Sequence, residues 1–163
     1  MKRRSVICSC LALLLITATG VVAQTQRDDQ QDADPKQKSI VGSWWTDVRP
    51  TALPPFLGLG TFLADGGVIN TTSVSLASPL ESPGHGQWIQ TGPRTFAITF
   101  VTLNADSAGT VLWTSKVRAT LRLSTSGDEF TGVFRVDVFE PGGSLIVSDT
   151  GTVFSTRVKV EPL

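Results

Sequence analysis

The residues best suited to chemistry are few, and two of them are neighbours. His85 is the single histidine of the chain, in the stretch Ser82-Pro83-Gly84-His85-Gly86, and Glu81 lies just before it. A carboxylate and an imidazole held over a pocket form an acid–base couple. A surface histidine in a turn and an exposed loop glutamate are the plainer readings of the same pair. One histidine and no cysteine beyond Cys8 and Cys10 exclude the usual His/Cys zinc sets. A Ser-His-Asp triad lacks the nucleophile elbow that would accompany it. Neither the phosphate-loop nor the dinucleotide glycine pattern occurs, so no cofactor is expected; Gly58 and Gly60 instead ease a strongly bent strand. The other candidates are aromatic. Phe62, Trp88, Phe96, Phe100, Trp113 and Phe134 either line a cavity or fill an interior to native density, and Phe56, after Pro54-Pro55, is a lid candidate.

Positioning these residues falls to strands. From Ser39 onward, β-branched and aromatic runs alternate with Gly, Pro, Asp and Asn clusters, and no stretch of helical period is long enough for a helix. The runs fall at roughly 40–48, 57–64, 67–76, 85–91, 94–103, 110–123, 130–139 and 144–158, which predicts eight strands. In the sixth, Val111, Trp113, Ser115, Val117, Ala119, Leu121 and Leu123 alternate with Leu112, Thr114, Lys116, Arg118, Thr120 and Arg122, one buried face and one wet. A two-residue turn at Gly127-Asp128 would set Arg118 opposite Asp137, Leu121 beside Phe134 and Ala119 beside Val136. A turn at Asp65-Gly66 would set Phe62 opposite Ile69. A turn at Gly92-Pro93 would set Phe100 opposite His85, with His85 facing inward; a one-residue change there would send Trp88 inward instead. Arg118, Arg122 and Arg135 are read as a solvated outer face.

The links alternate in length. Those after the second, fourth and sixth strands are tight, and those after the first, third and fifth are longer. In an up-and-down meander, alternate links share one end. One end is therefore closed by tight turns and the other is ringed by longer loops. An eight-stranded sheet of this kind closes into a barrel with room for packed side chains or one small ligand.

Ahead of the strands, Lys2-Arg3-Arg4, an apolar stretch from Val6 to about Val22, and Val21-Val22-Ala23 have the layout of a secretory signal cut after Ala23. Arg3-Arg4 also allows a twin-arginine signal. Both cysteines lie within residues 1–23. A secreted chain with no remaining cysteine points to a bacterial exported protein, or to a core that suffices without bridges. Residues 24–38 contain one apolar residue, Ala33, and are expected to be a disordered polar leader ahead of a barrel domain at 39–163. Cleavage would leave a mildly acidic chain of net charge −3, with no membrane span, and no basic run follows residue 4. No nucleic-acid or anionic-membrane footprint is visible. Asn70-Thr71-Thr72 matches a glycosylation acceptor, meaningful only for a eukaryotic source.

Gly42-Ser43-Trp44 resembles the Gly-x-Trp opening of lipocalins and the wider calycin group. The resemblance covers about residues 40–158 and implies that Trp44, or Trp45 beside it, plugs the closed end. It also implies that a late arginine, here Arg157, packs across that tryptophan, and that loop 49–56 lids the open end. The helix that lipocalins pack outside the barrel is not visible. Ser155-Thr156-Arg157-Val158-Lys159 is also similar to the ending of fatty-acid-binding proteins, but the chain has no tyrosine and too short a first loop for that family. Allene oxide cyclase and dirigent proteins are small eight-stranded barrels too, so fold alone does not separate carrying from catalysis.

Three functions follow as expectations. The first is an exported lipocalin-like barrel holding a small hydrophobic molecule. The second is a cyclase or isomerase acting by holding one substrate conformer, with His85 and Glu81 as polar helpers. The third is a structural or interaction domain with a filled barrel. The oligomeric state is not legible.

Overall fold

A run that alternates apolar and polar residues can bury one face only, and eight such runs in succession bury all eight faces against one another. The computed structural model describes residues 39–76 and 80–163; the expected signal peptide (1–23) and polar leader (24–38) lie outside them. The strands are β1 (Gly42–Pro50), β2 (Phe56–Phe62), β3 (Gly67–Thr72), β4 (Leu80–Glu81), β5 (Gly84–Gly92), β6 (Thr95–Ala105), β7 (Val111–Leu123), β8 (Glu129–Phe139) and β9 (Leu145–Arg157). A 3-10 turn at Ser73–Leu76 ends the third run earlier than its composition suggested.

All pairings are antiparallel. β1 pairs with both β2 and β9, and β6 pairs with β7, so the sheet closes on itself. The short β4 pairs with β6 just beyond β5, at Glu81↔Asn104. β4 and β5 thus form one stave, interrupted at Pro83, which has no N–H to donate. Ser82 bridges the gap: its N–H donates to the Leu103 carbonyl at 2.8 Å, and its hydroxyl accepts from Leu103 N at 3.0 Å. The result is a closed, eight-staved, up-and-down antiparallel barrel with almost no helix.

The turns set registers that differ from the sequence expectation in three places. Between β2 and β3 the loop is Ala64-Asp65-Gly66: Leu63 N donates to Gly67 O at 2.9 Å, Gly66 has φ +91°, and Asp65 Oδ1 accepts from Gly67 N at 2.9 Å. This is a three-residue loop with a left-handed glycine. It places Phe62 opposite Val68, and Ile69 turns outward. Between β5 and β6 the turn is Pro93-Arg94, with Gly92 opposite Thr95 and a bulge between Gln90 and Gly92. Proline favours the first central position of such a turn. The register becomes Trp88↔Ile98 and His85↔Val101, which carries Trp88 inward and His85 outward. Between β7 and β8 four residues, Thr125–Asp128, make the loop, with Gly127 at φ +80°. The pairs are Arg118↔Arg135, Ala119↔Phe134 and Leu121↔Gly132, a two-residue shift that preserves both faces.

The core sits at the tight-turn end. Ile40, Trp44, Phe62, Val68, Phe96, Leu121, Leu123 and Phe130 are buried there. A relay of aromatic contacts crosses the barrel, from Trp44 to Phe130 (4.7 Å between centroids), Phe62 (6.1 Å), Trp88 (6.4 Å) and Phe96 (5.8 Å). The Trp88 indole donates to Leu63 O at 3.0 Å, which satisfies its one polar atom.

Outside, Arg118, Arg135 and Ser148 converge on Asp137. Asp137 Oδ1 accepts from Arg135 Nε at 2.8 Å and from the Ser148 hydroxyl at 2.6 Å, and Arg118 pairs with Oδ2. Trp45, Leu57, Leu59 and Phe154 are exposed on the adjoining outer face of β9, β1 and β2.

Candidate functional site

The two ends of the barrel are built differently. At the closed end, Trp44 is fully buried and donates to Ile40 O at 2.8 Å, whereas Trp45 is 49% exposed. The Arg157 guanidinium lies 4.2 Å from the centroid of the Trp44 ring. It also donates to three carbonyls: Ser39 O and Val41 O at 2.7 Å, and Gly127 O at 2.9 Å. Burial pushes the Arg157 pKa below the usual guanidinium value, and the Asp128 carboxylate opposes that shift; arginine remains charged. Gly42 has φ +126°, and a Cβ there would sit 2.8 Å from the guanidinium. The glycine of Gly42-Ser43-Trp44 is therefore required twice, by backbone and by space.

At the open end the interior is hollow. A cavity of about 400 Å³ is enclosed by the upper halves of the staves. Its floor is Phe62, Val68, Leu121 and Phe130, the upper surface of the aromatic plug. Its apolar walls include Val48, Phe100, Val117, Phe134, Val136 and Val153. Leu53, from the loop after β1, and Phe56, the first residue of β2, line the mouth. That loop is tied to β9: Thr51 N donates to Thr150 O at 2.8 Å, and Ala52 N to Asp149 Oδ2 at 3.1 Å.

Glycine decides where the barrel is filled. Phe100 lies across Gly84 and Gly86, where a Cβ would come within 2.6 Å of its ring or Cβ; Phe134 lies across Gly151 at 2.7 Å, and Leu121 across Gly132 at 2.6 Å. These inward glycines accept a large side chain from the next stave. Gly58 and Gly60 on β2 are different. A Cβ at Gly60 would meet nothing closer than 3.8 Å, and at Gly58 nothing closer than 3.5 Å. They leave space that no neighbour takes, and Gly60 lines the cavity.

One wall is polar. Register sets Glu81, Asn104 and Trp113 in a row on the inner face across β4, β6 and β7, with Thr102 and Ser115 in the row below. Asn104 Nδ2 donates to Thr102 Oγ1 at 3.4 Å and to Ser115 Oγ at 3.5 Å, and the Thr72 hydroxyl donates to Glu81 Oε2 at 3.4 Å. Across the barrel, Thr46 and Ser155 share a hydrogen bond of 2.8 Å. Among the described residues, no buried side-chain polar atom lacks a partner.

The residues singled out in the sequence divide accordingly. Phe56, Phe62, Phe100, Trp113 and Phe134 line the cavity, with Phe62 in its floor. Trp88 and Phe96 belong to the plug beneath it. Glu81 faces the cavity. His85 does not: it is exposed on the outer face, between Ile69 and Val101, because the bulge before Gly92 shifts its stave by one residue. The inward position expected for His85 is thereby corrected, and Glu81 and His85 face opposite sides of the wall. The polar wall of Thr102, Asn104 and Ser115 was not singled out in the sequence; its only signal was hydroxyls and an amide at the inward positions of β6 and β7.

No protein-family model matches the chain, and a search of curated proteins finds no significant relative.

Proposed function

We propose that this barrel is an exported carrier that holds one small, mainly apolar molecule in the cavity at its open end. The observation that carries the reading is the division of the interior: a dense aromatic plug below, and above it an apolar-walled space of about 400 Å³. That volume lies within the range of small-molecule sites, roughly 300–1,000 Å³. Binding would come from burial of apolar ligand surface against Val117, Phe134 and Val136, with the Asn104 wall fixing orientation. The Gly-x-Trp opening and the Trp44–Arg157 contact support a place in the lipocalin-like group, and residues 1–23 support export.

A cyclase or isomerase has less support. Its acid–base couple would need His85 and Glu81 over one substrate, and they lie on opposite faces of the stave. A barrel filled throughout is not what encloses the ligand-sized space.

The test uses a neutral apolar fluorophore, N-phenyl-1-naphthylamine, and the substitution Gly60→Leu. The expected outcome is saturable uptake with blue-shifted emission by the parent, lost in Gly60→Leu, whose added side chain occupies the cavity. Equal uptake by both proteins would place the probe elsewhere and count against the reading.

A further inference from the structure

We propose that the ligand of this cavity carries neutral hydrogen-bonding groups at both ends of an apolar body, with Asn104 receiving one at the mouth and Asn70 the other just above the plug; the proposal rests on the carrier reading and deepens it. Asn104 stands near the open end of β6, with Thr102 and Ser115 in the row below. Asn70 stands at the other end of the space. On β3 it is the next inward residue above Val68, which belongs to the floor, and its partner Gly60 is the next above Phe62, which belongs to it too. The asparagine of Asn70-Thr71-Thr72, a glycosylation acceptor by sequence, thus lines the interior. Val117, Phe134 and Val136, on β7 and β8, give the cavity an apolar wall on the side away from β3.

Both amides have bonding capacity to spare. Asn104 Nδ2 donates to Thr102 Oγ1 at 3.4 Å and to Ser115 Oγ at 3.5 Å, and Asn70 Nδ2 donates to Leu59 O at 3.4 Å. All three are longer than the roughly 2.7–3.2 Å of an ordinary N–H···O bond. Neither amide oxygen is bonded within the protein. Among the described residues no buried side-chain polar atom lacks a partner, so both oxygens open onto the cavity. Turning the Asn104 amide about would exchange its open acceptor for open donors, and a hydroxyl answers either. The carboxylates of the lining are committed within the protein: Asp149 accepts from Ala52 N and Thr150 N, and Glu81 from Thr72. A hydrocarbon tail with a single head at the mouth would set Asn70 against carbon, and a polar group desolvated without a partner is unfavourable. A second hydroxyl or carbonyl at the far end of the ligand meets that amide instead.

The experiment takes α,ω-alkanediols of six to ten carbons and the 1-alkanols of matching length as competitors of N-phenyl-1-naphthylamine. Diol and alcohol share a hydrocarbon body and differ only in the second hydroxyl. A cavity with an apolar bottom would hold each diol about tenfold more weakly than its alcohol, because the second hydroxyl is buried unmet. The expected result is the reverse: at the chain length that spans the two amides, the diol binds more tightly than the alcohol. Asn70→Leu is expected to weaken that diol about tenfold and to leave the alcohol bound at least as tightly, which also reports that the barrel is intact. Alcohols that bind more tightly than diols at every length would overturn the proposal, as would a diol preference that survives in Asn70→Leu. The ranking in the parent protein decides on its own if the variant does not fold. Absence of probe uptake by the parent would overturn the carrier reading itself, a result distinct from uptake without a diol preference.

Discussion

At the scale of single residues, two arginine clusters do unlike things. Arg157 is half-buried and closes the barrel by stacking on Trp44 and bonding three carbonyls from two distant segments. Hydrogen bonds from a charged group and a desolvated cation–π contact are each worth about 1–3 kcal/mol. Arg157→Ala should therefore cost roughly 2–4 kcal/mol and lower the thermal midpoint by on the order of 10 °C. Arg157→Lys should recover only part of this, because one ammonium cannot span Ser39, Val41 and Gly127. Calorimetry of the two variants checks both statements; an unchanged midpoint in Arg157→Ala would contradict the plug account. Asp137 is the counterpart on the outer face. Arg118 and Arg135 stand directly opposite each other, and the buried Asp137 carboxylate lies between them. Asp137→Asn keeps the shape but leaves two like charges facing across the strands. A loss of about 1–3 kcal/mol in urea unfolding is expected, at the lower end because both arginines are half-exposed.

At the scale of elements, faces were easier to read than registers, and the reason is turn chemistry. Alternation in β7 fixed its inner face, and a two-residue error in the Gly127-Asp128 turn left that face intact because side chains repeat every second residue. The turn before β6 was less forgiving. Pro93-Arg94 with a bulged Thr91, instead of Gly92-Pro93, is a one-residue change, and it exchanged Trp88 for His85 in the interior. A bulge leaves little trace in composition. The closed end was the most legible part, because Gly42, Trp44 and Arg157 are large or conformationally special residues at the ends of the first and last strands. The polar wall was the least legible, because Thr102, Asn104 and Ser115 interrupt an apolar face in positions that look like errors until a cavity explains them. The glycines give this scale its prediction. Gly60→Leu should fold with stability within about 1 kcal/mol of the parent, since its Cβ meets only ordinary contacts. Gly86→Ala should cost about 3 kcal/mol or more, since its Cβ would fall 1.9 Å from Thr99 O. Urea titration of both separates them; similar midpoints would show that the inner glycines are not what allots space in the barrel.

At the scale of the whole molecule, the barrel is packed at one end and hollow at the other. Closure by β6–β7 pairing joins the first and last long staves of the sheet, so the open half keeps its walls without a core inside them. The loop tied to Thr150 and Asp149 holds Leu53 at the mouth, beside Phe56 at the start of β2. Whether this hollow holds a ligand is tested by native mass spectrometry of the chain expressed with its full N-terminus and purified gently. The predicted result is a native mass exceeding the denatured mass by that of one small molecule, or by that of an added apolar molecule, with the denatured mass itself corresponding to a chain that begins at Gln24. A native mass equal to the denatured one, with no uptake from a panel of apolar amines, alcohols and acids, would contradict the claim.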